Sequence, residues 1–343
     1  MVGRKSLGVG SVALAVASTL LACGQGRGSA SEGTQEATGA QRASLVVAST
    51  TRLAHGDPKA TPAETLGYRA AVSERIAMGA PAVTVDARGT VYVLDALKGR
   101  VMRMVRGEPM LPAVENLPKD VDDLAVGPDG AIAVRRSVKP EVLVFSASGA
   151  KVGAVDTGAV EVSDGIALGL SRRVLVTSAD QETFFFGSPA TPQVAEAVRA
   201  NKREGAVLLA DGRGVVGVRR DDGVVELRVV ANDGDQEHRV QKTVELGAAS
   251  SVRIVGANGS VVCTRIEHGS QAASGEIVVD REAACVDVLT GRSLLRVKLP
   301  GVGTYVPRHE LAFAGGTLVH LRPTDEGLEL TTWSTEAAMG GAR

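Results

Sequence analysis

The sequence predicts an all-β body, a six-bladed β-propeller with four-stranded blades. Three observations predict it. An apolar strand, a tight turn and a second apolar strand recur six times between residues 81 and 321. The turn glycines Gly89, Gly130, Gly212, Gly259 and Gly316 are 41, 82, 47 and 57 residues apart, and the 82 spans two units. A further apolar strand follows each pair, and a strand-built repeat of about 40 to 50 residues has the spacing of propeller blades.

The units follow in order. Pro81–Asp86 and Thr90–Asp95 flank Gly89, and Asp122–Val126 and Ala131–Val134 flank Pro128-Asp129-Gly130. In the third, Asp164–Leu168 and Arg173–Val176, the turn glycine is replaced. The fourth is Ala206–Ala210 with Val215–Val218, the fifth Arg253–Asn258 with Val261–Cys263, and the sixth Glu310–Ala314 with Leu318–Leu321. Asp-Gly and Asn-Gly at these turns suit two-residue hairpins, which need positive φ. Third strands are expected at Arg100–Met104, Val142–Phe145, Thr183–Phe186, Val224–Val230, Cys285–Leu289 and Leu328–Trp333. Val152–Val155 and Val240–Leu246 are candidate fourth strands. The ring spans 66–336, with 337–343 a disordered tail. An open blade exposes a strand edge, so Leu66–Val72 is expected to supply the outer strand of the last blade.

The first unit resembles the NHL repeat family, through the opening Pro81–Asp86, then Gly89–Asp95 and Gly99-Arg100-Val101. The second keeps Pro128-Asp129-Gly130 and has Arg135 where the later Asp stands. Units three to six keep only the hydrophobic grammar. The resemblance implies a propeller and no single activity, because function sits in sites grafted on folds. Resembled enzymes include peptide-amidating lyases and gluconolactonase-like enzymes, with histidine or acidic metal ligands at the channel mouth. No full set of those ligands maps onto this chain.

Residues 1–22 have a signal-peptide layout, with Arg4 and Lys5 before an apolar stretch from Leu7 to Leu21. The stretch ends in Leu20-Leu21-Ala22-Cys23, which resembles a bacterial lipobox. That resemblance implies lipidation of Cys23 and an anchor that does not span the bilayer. Residues 23–65 read as the lipidated cysteine and a flexible linker. The stretch around Val47 offers a stray strand, but Gly56, Pro58 and Pro62 favour loop. The expected address is the bacterial cell envelope, on the periplasmic side of the outer membrane or at the cell surface. Gly24-Gln25 carries no acidic retention signal.

Charge and composition exclude several classes. Lys+Arg number 38 and Asp+Glu 39, so no basic footprint for nucleic acid exists. Aromatics make up 3%, too few for sugar or base platforms. No catalytic motif and no zinc-ligand spacing is present. The expected state is a monomer that meets the membrane through its lipid and binds an envelope protein or a small ligand.

Few residues stand out as a site. Cys263 and Cys285 fall on neighbouring antiparallel strands of the fifth unit, and export permits a disulfide between them. The alternative is two buried thiols. His268–Ile277 reads as a long loop behind that staple. Aligning the units puts Asp122, Asp164, Glu204 and His309 just before the inner strands, with Asp123 and Glu310 one position on. Inner strands line the channel, so these side chains could ring one mouth and favour a cation; oxygen ligands suit Ca²⁺. The plainer account is that strand starts are polar. Arg135-Arg136 and Arg219-Arg220 form either a basic strip or solvated strand ends. Phe184-Phe185-Phe186 suits packing between blades. The leading expectation is a non-catalytic, membrane-anchored binding or scaffold module. The alternative is a metal-dependent lactonase- or lyase-like enzyme with an acidic site at the channel mouth.

Overall fold

The computed structural model describes residues 47–57, 65–72, 76–232, 240–301 and 303–335. The chain divides into Met1–Arg42, wholly outside those residues, and Ala43–Arg343, which carries the propeller. The signal peptide, Cys23, most of the linker and the 337–343 tail lie outside the described residues.

Six sheets form the ring. Blade 1 runs Ala82–Val85, Val91–Asp95, Arg100–Met104, Leu111–Val114, and blade 2 Val121–Val126, Ile132–Arg136, Glu141–Phe145, Lys151–Asp156. Blade 3 has Ser163–Leu168, Val174–Ser178 and Glu182–Ser188. Its outer edge is shared by two short pieces, Thr191–Pro192 and Arg203–Glu204, on either side of the helix Ala195–Ala200. Blade 4 runs Val207–Leu208, Gly214–Arg219, Val224–Val230, Val240–Ala248, and blade 5 Ser251–Asn258, Val261–Gln271, Ile277–Asp287, Ser293–Leu299. Blade 6 takes Leu311–Ala314, Thr317–Pro323 and Gly327–Ser334 from the chain's end. Apolar side chains pack between successive blades, as Ile132, Val134 and Leu143 of blade 2 do with Tyr92 and Val101 of blade 1.

Closure corrects the expected boundary. The outer strand of blade 6 is Val47–Gly56, antiparallel to Gly327–Ser334 from Val47↔Trp333 to Ala54↔Gly327. Leu66–Gly67 adds only a short parallel fifth strand. The linker therefore ends before Val47. The closing strand is polar because its outer face meets water. Its register is held by hydroxyl pairs such as Ser49 to Thr332 at 3.1 Å, and by Arg52 donating to Glu329 at 3.1 Å. Asp95, fully buried, accepts N–H bonds from Gly67 and Lys98 and an Nε–H bond from Arg100, tying the closing segment to blade 1.

Two local expectations also change, both in blade 5, and two others are accounted for. The third blade's turn does without glycine because Ser171 and Arg172 themselves take φ of 56° and 58°. His268–Ile277 is mostly hairpin, not loop: the strands run to Gln271 and resume at Ile277. The third strand of blade 5 consequently ends at Asp287, short of Leu289. Cys263 and Cys285 sit opposite each other and form a disulfide, with no exposed surface on either.

Candidate functional site

The inner strands of the six blades stand around one centre, and the parallel bridge between Ala82 and His309 shows blades 1 and 6 entering it from the same pole. Together the six strands enclose a central cavity of about 430 Å³. Its wall combines half-buried Val126, Ile166, Val207 and Ile254 with polar groups such as Thr84 and Thr177. The end where the strands start is lined by Asp164, Arg253, Arg308 and His309.

The charged groups at this mouth bind one another. Arg135 grips Asp122 with two bonds, Nε to Oδ1 at 3.0 Å and Nη2 to Oδ2 at 2.6 Å, and donates to the Ser163 carbonyl. Arg308 approaches the same carboxylate at 3.6 Å. Arg253 donates to Asp164 Oδ1 at 2.8 Å and to the Arg308 carbonyl at 3.3 Å. His309 Nε2 lies 2.9 Å from the Asp164 carbonyl and 3.4 Å from Arg253 Nη2, and Nδ1 is 3.6 Å from Asp123 Oδ1. Asp123 is 1% exposed and is used by the backbone: it accepts from Leu124 at 2.7 Å and from Ile166 of the next blade at 3.0 Å. Charge-assisted bonds of this kind are the stronger class. They lock three blades and the last connection into one polar rim.

Of the six expected mouth residues, Asp122, Asp123, Asp164 and His309 meet here. Glu204 does not. It lies on the outer edge of blade 3, paired with Glu182, because the chain makes one more edge strand before entering blade 4. Glu310 borders the cavity, as Arg265 does, but its carboxylate is taken by arginines. It is 4% exposed, takes two bonds from Arg281 at 2.6 and 2.7 Å, and accepts from Arg265 at 3.2 Å. The mouth is thus a set of matched charges, not a ring of open carboxylates. Among the described residues, no group of three or more His, Cys, Asp or Glu is arranged to hold a metal ion.

The expected basic strip is likewise neutralised. Arg136 pairs with Asp120 and Glu141; it holds the Asp120 carboxyl below its ordinary range, and Lys139 together with Arg136 does the same for Glu141. Arg220 pairs with Asp222 and Glu245. Sequence reasoning missed Arg253 and Arg308. A charged residue inside the apolar inner strand Ser251–Asn258 was the one local signal.

No protein-family model and no curated protein matches the chain. Among solved structures it is similar to the hydrazine synthase of Kuenenia stuttgartiensis, at 13% identity over 75% of this chain and 80% of that one, with a TM-score of 0.44. It is similar to a virginiamycin B lyase from Staphylococcus aureus at 11% identity, over 75% and 94% of the two chains, TM-score 0.42. A streptogramin B lyase matches at 12% identity over 74% and 93%, TM-score 0.40. At these identities the likeness extends to the fold alone.

Proposed function

We propose that the chain is a lipid-anchored binding module of the bacterial envelope, and that a small ligand enters its central channel at the Asp164–Arg253–Arg308–His309 mouth. The observation that carries this reading is a cavity of about 430 Å³ that has apolar side chains such as Val126, Ile166, Val207 and Ile254 in its wall and a charged rim at one end. Ligand pockets commonly combine an apolar wall with a few polar groups that fix orientation. A ligand with an apolar body and a polar head fits that division. Metal-dependent lactonase or lyase chemistry fits less well, because Asp122 and Asp164 are already occupied by arginines.

Anilinonaphthalene sulfonate, an apolar ring system with one anionic group, is a direct probe. It is expected to bind the full chain in a one-to-one complex. Binding is expected to fall in Arg253→Ala and to vanish in Ile166→Trp, which fills the channel. Saturable binding left unchanged by both variants, or no saturable binding at all, overturns the channel reading. The anchor is tested separately: labelled fatty acid is expected in the wild type and absent from Cys23→Ser.

A further inference from the structure

Blade 5 is built unlike its neighbours. Its two middle strands have 11 residues each, against 5 to 8 in the other blades. The inner strand covers them only to Ser251↔Glu267, and the outer strand ends at Leu299↔Arg281. Beyond those points His268–Gln271 and Ile277–Asp280 have only each other as strand partners among the described residues, and on the inner edge the Gly269 N–H donates to Ser250 Oγ at 2.8 Å. The overhang stands at the mouth pole. Ile277, Val278 and Val279 on it are 74%, 42% and 46% exposed.

The backbone phase of this edge can be worked out. Cys263 and Cys285 have Cα atoms 4.0 Å apart, the close spacing of a non-hydrogen-bonded antiparallel pair. The register between these strands runs to Gln271↔Ile277 without a bulge. Alternation therefore turns the N–H and C=O groups of Arg281, Val279 and Ile277 outward, along the line that Ser293–Leu299 occupies further down. Pro300, which has no N–H to donate, ends that strand. A groove of about 330 Å³ lies between Val279–Arg281 and Lys298–Gly301, where the missing length of strand would run.

We propose that an extended segment of another protein, alternating apolar and basic residues, adds to blade 5 along Ile277–Asp280. Strand addition to an open edge draws affinity from main-chain hydrogen bonds and specificity from alternate side chains. The charge argues for the basic residues. Exposed Glu276 and Asp280 flank the apolar run, and Lys298 already sits 3.0 Å from Asp280 at the end of the chain's own strand. The charge also argues against a second copy. Two-fold antiparallel pairing about Val278 would set Glu276 opposite Asp280, and like charges directly opposite are destabilising. This site is separate from the channel and stands without it.

Amide hydrogen exchange on the full chain tests the proposal, with a capped Lys-Val-Lys-Val-Lys-Val peptide as the probe. Saturating peptide is expected to slow exchange at Ile277 and Val279 by about tenfold or more, and to leave Val278, already bonded inward, unchanged. A Glu-Val peptide of the same length is expected to bind at least about tenfold more weakly. Val279→Pro removes one outward N–H and is expected to abolish binding while the melting temperature stays near that of the wild type. Outward amides unaffected by millimolar peptide overturn the proposal, as does equal binding by Val279→Pro. Protection that grows with protein concentration in the absence of peptide assigns the edge to a second copy and overturns it too. The wild-type exchange data decide even where the proline variant folds poorly.

Discussion

His320 makes stability pH-dependent in a calculable way. It lies on the second strand of blade 6, is 1% exposed, and packs near Trp333, with ring centroids 6.4 Å apart. Burial lowers its pKa from 6.5 to about 4; Glu310 and Glu329 pull the other way, while Arg281 and Arg322 reinforce the shift. The native ring is thus neutral across a range where the unfolded chain's imidazole takes a proton. Below pH 6.5 the unfolded state binds that proton and the fold does not, so stability falls with falling pH and levels off below about pH 4. Each pH unit is worth about 1.4 kcal/mol, so moving from pH 7.5 to 4.5 costs roughly 3 kcal/mol through this residue alone. Urea unfolding of the wild type and of His320→Gln at both pH values isolates it, because other titrating groups are shared. The wild type is expected to lose roughly 3 kcal/mol more than the variant over that interval. Equal losses refute the assignment of a buried, neutral histidine.

Further outcomes follow from the ring and its mouth. Replacing both Cys263 and Cys285 by alanine removes a cross-link spanning 22 residues, expected to cost about 3 kcal/mol in the chain-entropy model; calorimetry with and without reductant measures it, and an unchanged melting temperature counts against that account. Deleting residues up to 46 is expected to leave cooperative melting intact. Deleting up to Gly56 bares the edge of Gly327–Ser334 and is expected to give aggregation and loss of the cooperative transition; identical melts for the two deletions would refute closure by this strand. Millimolar calcium is expected to leave the melting temperature unchanged, because arginines hold Asp122 and Asp164. A stabilisation that Asp122→Ala removes would restore the metal reading.

What was legible in the sequence was what local chemistry determines. Gly89, Gly130, Gly212 and Gly259 take φ of 82°, 75°, 85° and 60°, a conformation that glycine adopts without a Cβ clash, so the hairpins announced themselves. The middle strands are buried on both faces, as Val91–Asp95 is throughout, and so read as near-continuous apolar runs broken by a residue such as Asp95. Outer strands were faint because one face is wet. Leu111–Val114 has two exposed residues of four, and Thr191–Pro192 is wholly exposed. The closing strand was hardest, since its Ser, Thr and Arg find partners such as Thr332 and Glu329 more than 270 residues away. Nothing within Val47–Gly56 itself records that. The same limit governed the mouth. Aligning units placed Asp122, Asp164 and His309 at one pole, but alignment does not tell which arginine reaches which carboxylate. Arg253 of blade 5 meets Asp164 of blade 3 only once the ring has closed.

Closure also sets a polarity on the molecule. Val47 pairs with Trp333, at the end of the third strand of blade 6, whereas Gly327, where that strand starts, lies at the mouth pole with the start of that blade's inner strand. The chain therefore enters the ring at the pole opposite Asp164, Arg253, Arg308 and His309. The channel mouth and the overhanging hairpin of blade 5 both stand at that opposite pole. The proposed ligand site and the proposed strand-accepting edge therefore share one pole, and the closing strand leaves that pole clear of the chain's entry. The closing strand thus serves two ends: it removes an exposed sheet edge, and it sets the pole at which the chain joins the ring.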